Sequence, residues 1–247
     1  GVFLVLVLSF GFLNVIMTPI FYSWDEAEHF IKAYNTASGN LIMREGEVIA
    51  YPDNAEEFID KKHQIEYPNY RSYEEFTEVT KDLLELSYDD TEVTNYSSTA
   101  ITYTMAPYLF SSLGIAVGKI LNFPFLVSFY LGRFFNLLAY VLLVYFALKI
   151  IPIGKKLLFI CALLPTIVFQ AASYSADVVI NGFSFFIFAL IMKWLFDKQR
   201  MTVPNLLIMC SCFIIITASK MTYVPIFLLV LVLKHDNFTS RKTEWLI

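Results

Sequence analysis

From Val2 to Phe21 the chain carries no charged side chain, and it then turns abruptly polar at Tyr22-Ser23-Trp24-Asp25-Glu26-Ala27-Glu28-His29. A run of about 20 apolar residues crosses the roughly 30 Å hydrocarbon layer as a helix, so residues 1–22 predict a first transmembrane helix and the acidic stretch surfaces at one bilayer face. The run is too long for a signal-peptide core and has no small-x-small cleavage pattern before Trp24, so it reads as an anchor that stays. Through residues 23–102 acidic and apolar positions alternate, as in Ala55-Glu56-Glu57-Phe58-Ile59-Asp60 and from Tyr73 to Leu86, with Pro52 and Pro68 dividing the stretch. That pattern predicts two or three amphipathic helices lying over the membrane face.

In residues 103–247 apolar segments return: Tyr103–Leu121, Phe125–Ile150, Leu157–Ala172, Val178–Phe196, Val203–Thr217 and Tyr223–Leu233, joined by short connections. The expected fold is an all-α, polytopic helical membrane protein with a large outer loop after its first span. The chain opens without a methionine and closes inside a basic stretch, which reads as a piece of a longer protein. A composition of 57% hydrophobic and 17% aromatic residues, with mean hydropathy +0.59, agrees with the membrane class.

Charge orients the segments. Residues 23–100 hold 18 of the 22 acidic residues but only 6 of the 18 lysines and arginines. So acidic a loop repels nucleic acid and anionic headgroups alike, which excludes nucleic acid as a partner. The cations gather in three connections: Lys149, Lys155 and Lys156; Lys193, Lys198 and Arg200; Lys234, Arg241 and Lys242. By the positive-inside rule these are cytoplasmic, which leaves Ser173–Asp177 and Ser219-Lys220 on the outer side with the acidic loop. The topology closes if Tyr103–Leu121, interrupted by Pro107 and by glycine and serine, is interfacial; if that segment crosses, Asp177 and Asp25 fall on opposite sides. Cys161, Cys210 and Cys212 lie within apolar segments and imply no disulfide framework.

The candidate chemistry sits where helices surface. Ser23 and Glu26 have capping-box spacing, and Asp25 would occupy the first turn of the helix that follows. In that helix Asp25, Glu26 and His29 face one way, while Glu28 pairs outward with Lys32. Asp177 is the one acidic residue between Glu92 and Asp197, at the mouth of a membrane segment, where it is either functional or a helix cap alongside Ser175. Arg133 and Lys220 are isolated cations at segment ends, each able to hold a phosphate or merely to snorkel. His63 and His235 read as solvated. Asp25 and Glu26 are the candidate catalytic carboxylates, with His29, Arg133, Asp177 and Lys220 as candidate substrate-binding groups.

Several of these short motifs occur in one order: Pro19-x5-Asp25-Glu26-x2-His29-Phe30, Leu131-Gly132-Arg133-x2-Asn136, Leu164-Pro165, Ser173-Tyr174-Ser175-Ala176-Asp177 and Ala218-Ser219-Lys220-x2-Tyr223-x-Pro225. The series resembles a bacterial family of predicted multi-pass membrane proteins of unknown function, and its layout is similar to that of the GT-C glycosyltransferases. The resemblance implies a multi-pass protein of the bacterial plasma membrane and a polyprenyl-phosphate-linked sugar as partner. It also implies that Asp25 with Glu26 occupies the carboxylate position opening the first outer loop, and Asp177 the later outer carboxylate. Those enzymes often carry two acids at the second position, whereas Asp177 stands alone. Sugar transfer from a lipid phosphate needs a base for the acceptor hydroxyl, which Asp25 suits. It also needs a cation for the leaving phosphate, which Arg133, Lys220 or a bound Mg²⁺ or Mn²⁺ suits. A secondary transporter and a non-catalytic envelope scaffold or sensor remain the alternative classes; no segment pattern repeats as an inverted-repeat transporter requires.

Overall fold

The computed structural model describes residues 1–42, 49–52, 81, 84, 85, 93–96, 103–196, 200–233, 237 and 238. Helices α1 (Val2–Met17) and α2 (Glu26–Ala37) precede two short strands, β1 (Ile49–Pro52) and β2 (Val93–Tyr96), and a 3-10 turn at Ala106–Tyr108. Then follow α3 (Leu109–Ile120), α4 (Phe125–Ile150), α5 (Lys155–Ala162), α6 (Pro165–Ala171), α7 (Asp177–Phe196), α8 (Val203–Ser219) and a 3-10 helix over Met221–Val232.

Prolines set the helix boundaries. A residue preceding proline is pushed out of the α region, and Thr18 before Pro19, Ile151 before Pro152 and Leu164 before Pro165 all have extended backbone, with ψ of 120°, 121° and 131°. Helix α1 therefore stops at Met17, short of the span expected over residues 1–22, and the apolar run continues as a turn in which Phe21 has φ +57°. The expected helix from Leu157 to Ala172 is likewise broken into α5 and α6, with Pro165 in the first turn of α6.

Strands β1 and β2 pair antiparallel, with Ile49 opposite Tyr96 and Pro52 opposite Val93. The described residues are mostly helical, as expected, and this short ladder, which joins the two ends of the acidic loop through backbone hydrogen bonds, is their departure from all-α. Of the stretch expected to be helical there, α2 is a helix, and it is buried over most of its length. The alternating stretches around residues 55–60 and 73–80, and His63, lie outside the described residues.

Among the described residues two helices, α4 and α7, are long and apolar enough to cross a membrane; α1, α8, residues 106–120 and the final 3-10 helix are shorter apolar helices. Helix α1 buries a stripe of Phe3, Val7, Gly11 and Val15 at four-residue spacing, yet Val5, Phe12, Leu13 and Ile16 on its opposite side are exposed and just as apolar. A helix that is hydrophobic all round with one bare face is suited to lipid.

Three cores hold the elements. Helices α1, α4, α5, α6 and α7 share one around Val7, Leu137, Tyr140, Val144 and Ala171. Helices α7, α8 and the final 3-10 helix share a second around Ile187, Trp194 and Phe213. The third caps one end, where α2, α3 and the start of α4 close over Phe30, whose ring lies 5.1–5.6 Å from those of Phe21, Phe125, Phe129 and Tyr174. Each such aromatic pair contributes about 0.5–1.5 kcal/mol beyond its buried area.

Helix α3 lies along α2. Tyr108 at its start meets His29, and Lys119 near its end reaches Tyr34 Oη at 3.3 Å and Ser38 Oγ at 3.4 Å. It approaches α4 closely because Gly114 has no side chain: a Cβ there would stand 2.5 Å from the Leu131 carbonyl oxygen.

Candidate functional site

The turn after α1 delivers the acidic stretch to the capped end of the bundle. Asp25 is the N-cap residue of α2 in left-handed backbone, φ +54°, and its carboxylate makes no capping hydrogen bond. The Ser23 hydroxyl donates instead to Ser173 Oγ at 3.2 Å. The expected capping box is therefore absent, and Glu26 is free to turn inward.

Glu26 meets Arg133 from α4 in a two-pronged ion pair, Nε to Oε1 at 2.8 Å and Nη2 to Oε2 at 2.6 Å, with both side chains fully sequestered. The remaining guanidinium N–H groups reach backbone carbonyls at the end of α1: Nη1 donates to Val15 at 3.1 Å and Thr18 at 2.7 Å, and Nη2 to Pro19 at 2.9 Å. All five donors of the arginine are occupied, so none points toward a ligand. A cation at the C-terminal end of α1 also meets the negative end of its dipole and satisfies carbonyls that have no helical partner. Glu26 Oε1 accepts in addition from the Tyr174 N–H at 3.0 Å, and the guanidinium lies 4.8 Å from the Phe129 ring centre. One fork thus ties together α1, α2, α4 and the loop before α7.

Beside this lock lies a second, accessible group. Asp177 opens α7, and the cap there falls to Ser175, whose hydroxyl accepts the Asp177 N–H at 3.1 Å. The Asp177 carboxylate is left to receive Lys220 Nζ, at the end of α8, at 3.2 Å; both side chains are about one-third exposed. Lys220 Nζ also lies 5.9 Å from the Tyr103 ring centre. His29 Nδ1 and Tyr108 Oη are 2.6 Å apart, and the His29 ring is 5.7 Å from that of Tyr103.

The charges in this group act on one another. Burial holds His29 below the usual imidazole range, although Asp25 and Asp177 pull the other way, with Lys220 and Glu26 also within electrostatic reach. Partial burial of Lys220 would lower its pKa, but the charge and hydrogen bond of Asp177 outweigh it and the ammonium is held above its ordinary value. Asp25, His29, Asp177 and Lys220 therefore gather at one end of the bundle, with Glu26 behind them joined to Arg133. Lys32, expected to pair outward with Glu28, is buried, at 1% exposure.

Among the described residues no three His, Cys, Asp or Glu side chains come together to hold a metal ion. Lys220 is, among the described residues, the cation that pairs with Asp177. Tyr103, Tyr108 and Tyr174 escaped the sequence reading because tyrosines are scattered throughout the chain; Tyr174, inside the Ser173–Asp177 motif, was the one with a positional signal.

The sequence model of a protein family described as "Predicted membrane protein (DUF2142)" matches residues 8–247. No curated protein and no solved structure matches the chain.

Proposed function

We propose, from the premise that the chain belongs to this family of predicted membrane proteins, that it is a membrane transferase. It moves a sugar from a polyprenyl-phosphate donor to a cell-envelope acceptor at the end of the bundle that carries Asp25 and Asp177. That end faces outward and the lysine-rich end faces the cytoplasm, in keeping with the positive-inside rule.

The observation that carries this reading is Asp25: an exposed carboxylate in left-handed backbone, released from capping, beside a histidine that also feels Asp177 and Lys220. Left-handed backbone at a non-glycine residue clusters at functional positions. Asp25 accepts the proton of the acceptor hydroxyl, whose oxygen attacks the anomeric carbon of the donor. The bond from that carbon to the phosphate oxygen breaks, and its electron pair leaves with the phosphate. Lys220 offsets the charge growing there, exchanging its contact with Asp177 for one with the phosphate. Tyr103, partly exposed beside Lys220, offers a ring face for the sugar. Glu26 and Arg133 serve as the lock that fixes Asp25 in place, acting through position rather than contact.

A labelled polyprenyl-phosphate sugar, added to the protein reconstituted in liposomes, tests the assignment. Binding by wild type and by Asp25→Asn, with transfer lowered roughly 10²-fold or more in the variant, is the expected result. Absence of donor binding points to the transporter or scaffold classes, and full transfer by Asp25→Asn removes the base from Asp25.

A further inference from the structure

The opposite end of the bundle carries a cavity of about 760 Å³ between the start of α1, the end of α4 and α5. Phe3, Leu148, Phe159 and Ile160 are among the apolar residues of its wall, and Lys149, Lys155 and Lys156 stand on its rim. The turn at Gly154, with φ +81°, brings α5 back against α4, so that lysines adjoining one short loop converge on one opening. All three lysines are exposed. Lys149 Nζ lies 4.8 Å from the Tyr145 ring centre, and among the described residues no carboxylate pairs with any of the three. The chain between Glu92 and Asp197 supplies no acid near these lysines, since its one acid, Asp177, belongs to the other end.

We propose that this cavity is a binding site for an anionic glycerophospholipid, its phosphate among the three ammonium groups and an acyl chain along the apolar wall. Three cations with no carboxylate partner among the described residues, at the mouth of an apolar hollow, suit a ligand with negative charge at one end and hydrocarbon at the other. Juxtamembrane lysines attract anionic headgroups singly. Here the cavity adds shape: a lipid seated in it keeps its phosphate within reach of all three while burying its chain against Phe3 and Phe159. The site is independent of the chemistry at Asp25.

Native mass spectrometry of the full chain, purified in phosphatidylcholine and titrated with phosphatidylglycerol, tests the site. The wild type is expected to retain one phosphatidylglycerol at least tenfold more tightly than phosphatidylcholine. Changing Lys149, Lys155 and Lys156 to Gln weakens retention by about fivefold per lysine. Ile160→Trp, at an exposed wall position, leaves every charge in place but fills the hollow and also lowers retention. Lys193→Gln, outside the cavity lining, leaves it unchanged. Equal retention of the two lipids, an equal loss in Lys193→Gln, retention unaltered by Ile160→Trp, or displacement by glycerol 3-phosphate at matched concentration would each overturn the site.

Discussion

Glu26 and Arg133 stand 107 residues apart in the chain and meet through hydrogen bonds of 2.8 and 2.6 Å with no exposure of either side chain. Two charges removed from water are tolerated because every guanidinium N–H has an acceptor and the carboxylate has a further donor in Tyr174. The pair joins the first helix to the capped end of the bundle and fixes where Asp25 surfaces.

Removing one partner leaves the other charged and buried. Arg133→Met is expected to destabilise the fold by about 3–5 kcal/mol, because Glu26 loses its cation and the carbonyls of Val15, Thr18 and Pro19 lose their donors. Replacing both, as Glu26→Leu with Arg133→Met, recovers much of that loss. Thermal unfolding of the detergent-solubilised variants measures it, and a single variant that melts with the wild type would refute the lock.

Asp25 separates activity from stability. Asn also tolerates left-handed backbone, and no capping bond is lost, so Asp25→Asn is expected to melt within about 0.5 kcal/mol of wild type. Asp25→Gly does the same or better, whereas Asp25→Val costs about 1 kcal/mol or more because a β-branched residue resists φ +54°. Equal melting of the glycine and valine variants would show that the backbone relaxes there.

His29 links stability to pH. Its folded pKa lies below the ordinary 6.5, chiefly through burial, so between the two values the unfolded chain binds more protons than the folded one. The stability from this group is therefore complete above pH 6.5 and is lost as the pH falls through the window beneath it. His29→Gln is expected to shrink the drop in melting temperature between pH 7.5 and pH 5.5. An unchanged drop would assign the acid sensitivity to other groups.

Gly114 and Gly154 distinguish packing from backbone freedom. A methyl at Gly114 meets the Leu131 backbone oxygen at 2.5 Å, and α3 must move off α4, at a cost of about 1–3 kcal/mol for Gly114→Ala. Gly154 has open space around it but φ +81°, so Gly154→Ala costs about 1 kcal/mol through strain alone. Unfolding curves of the two alanine variants decide whether the predicted order holds.

The sequence by itself determined the membrane class and the helix ends at which the candidate site residues stand. Apolar runs at membrane length, an acidic segment after the first run and isolated polar residues at segment ends are one-dimensional signals, because lipid solvation and burial act on each segment separately. They located Asp25, His29, Asp177 and Lys220 at helix ends. The proline-governed breaks after Met17 and within Leu157–Ala172 were written in the chain as well, but hydropathy overrode them: an apolar stretch scores alike whether it is one helix or two. The tertiary structure alone decided how the charges are shared. Local spacing favours a capping box at Glu26 and a phosphate site at Arg133, yet each finds its strongest partner more than 100 residues away. A buried charge takes the partner that satisfies it most completely, and that partner depends on how α1, α2 and α4 pack, which no local pattern encodes. For the same reason Asp177 leaves the cap to Ser175 and turns to Lys220.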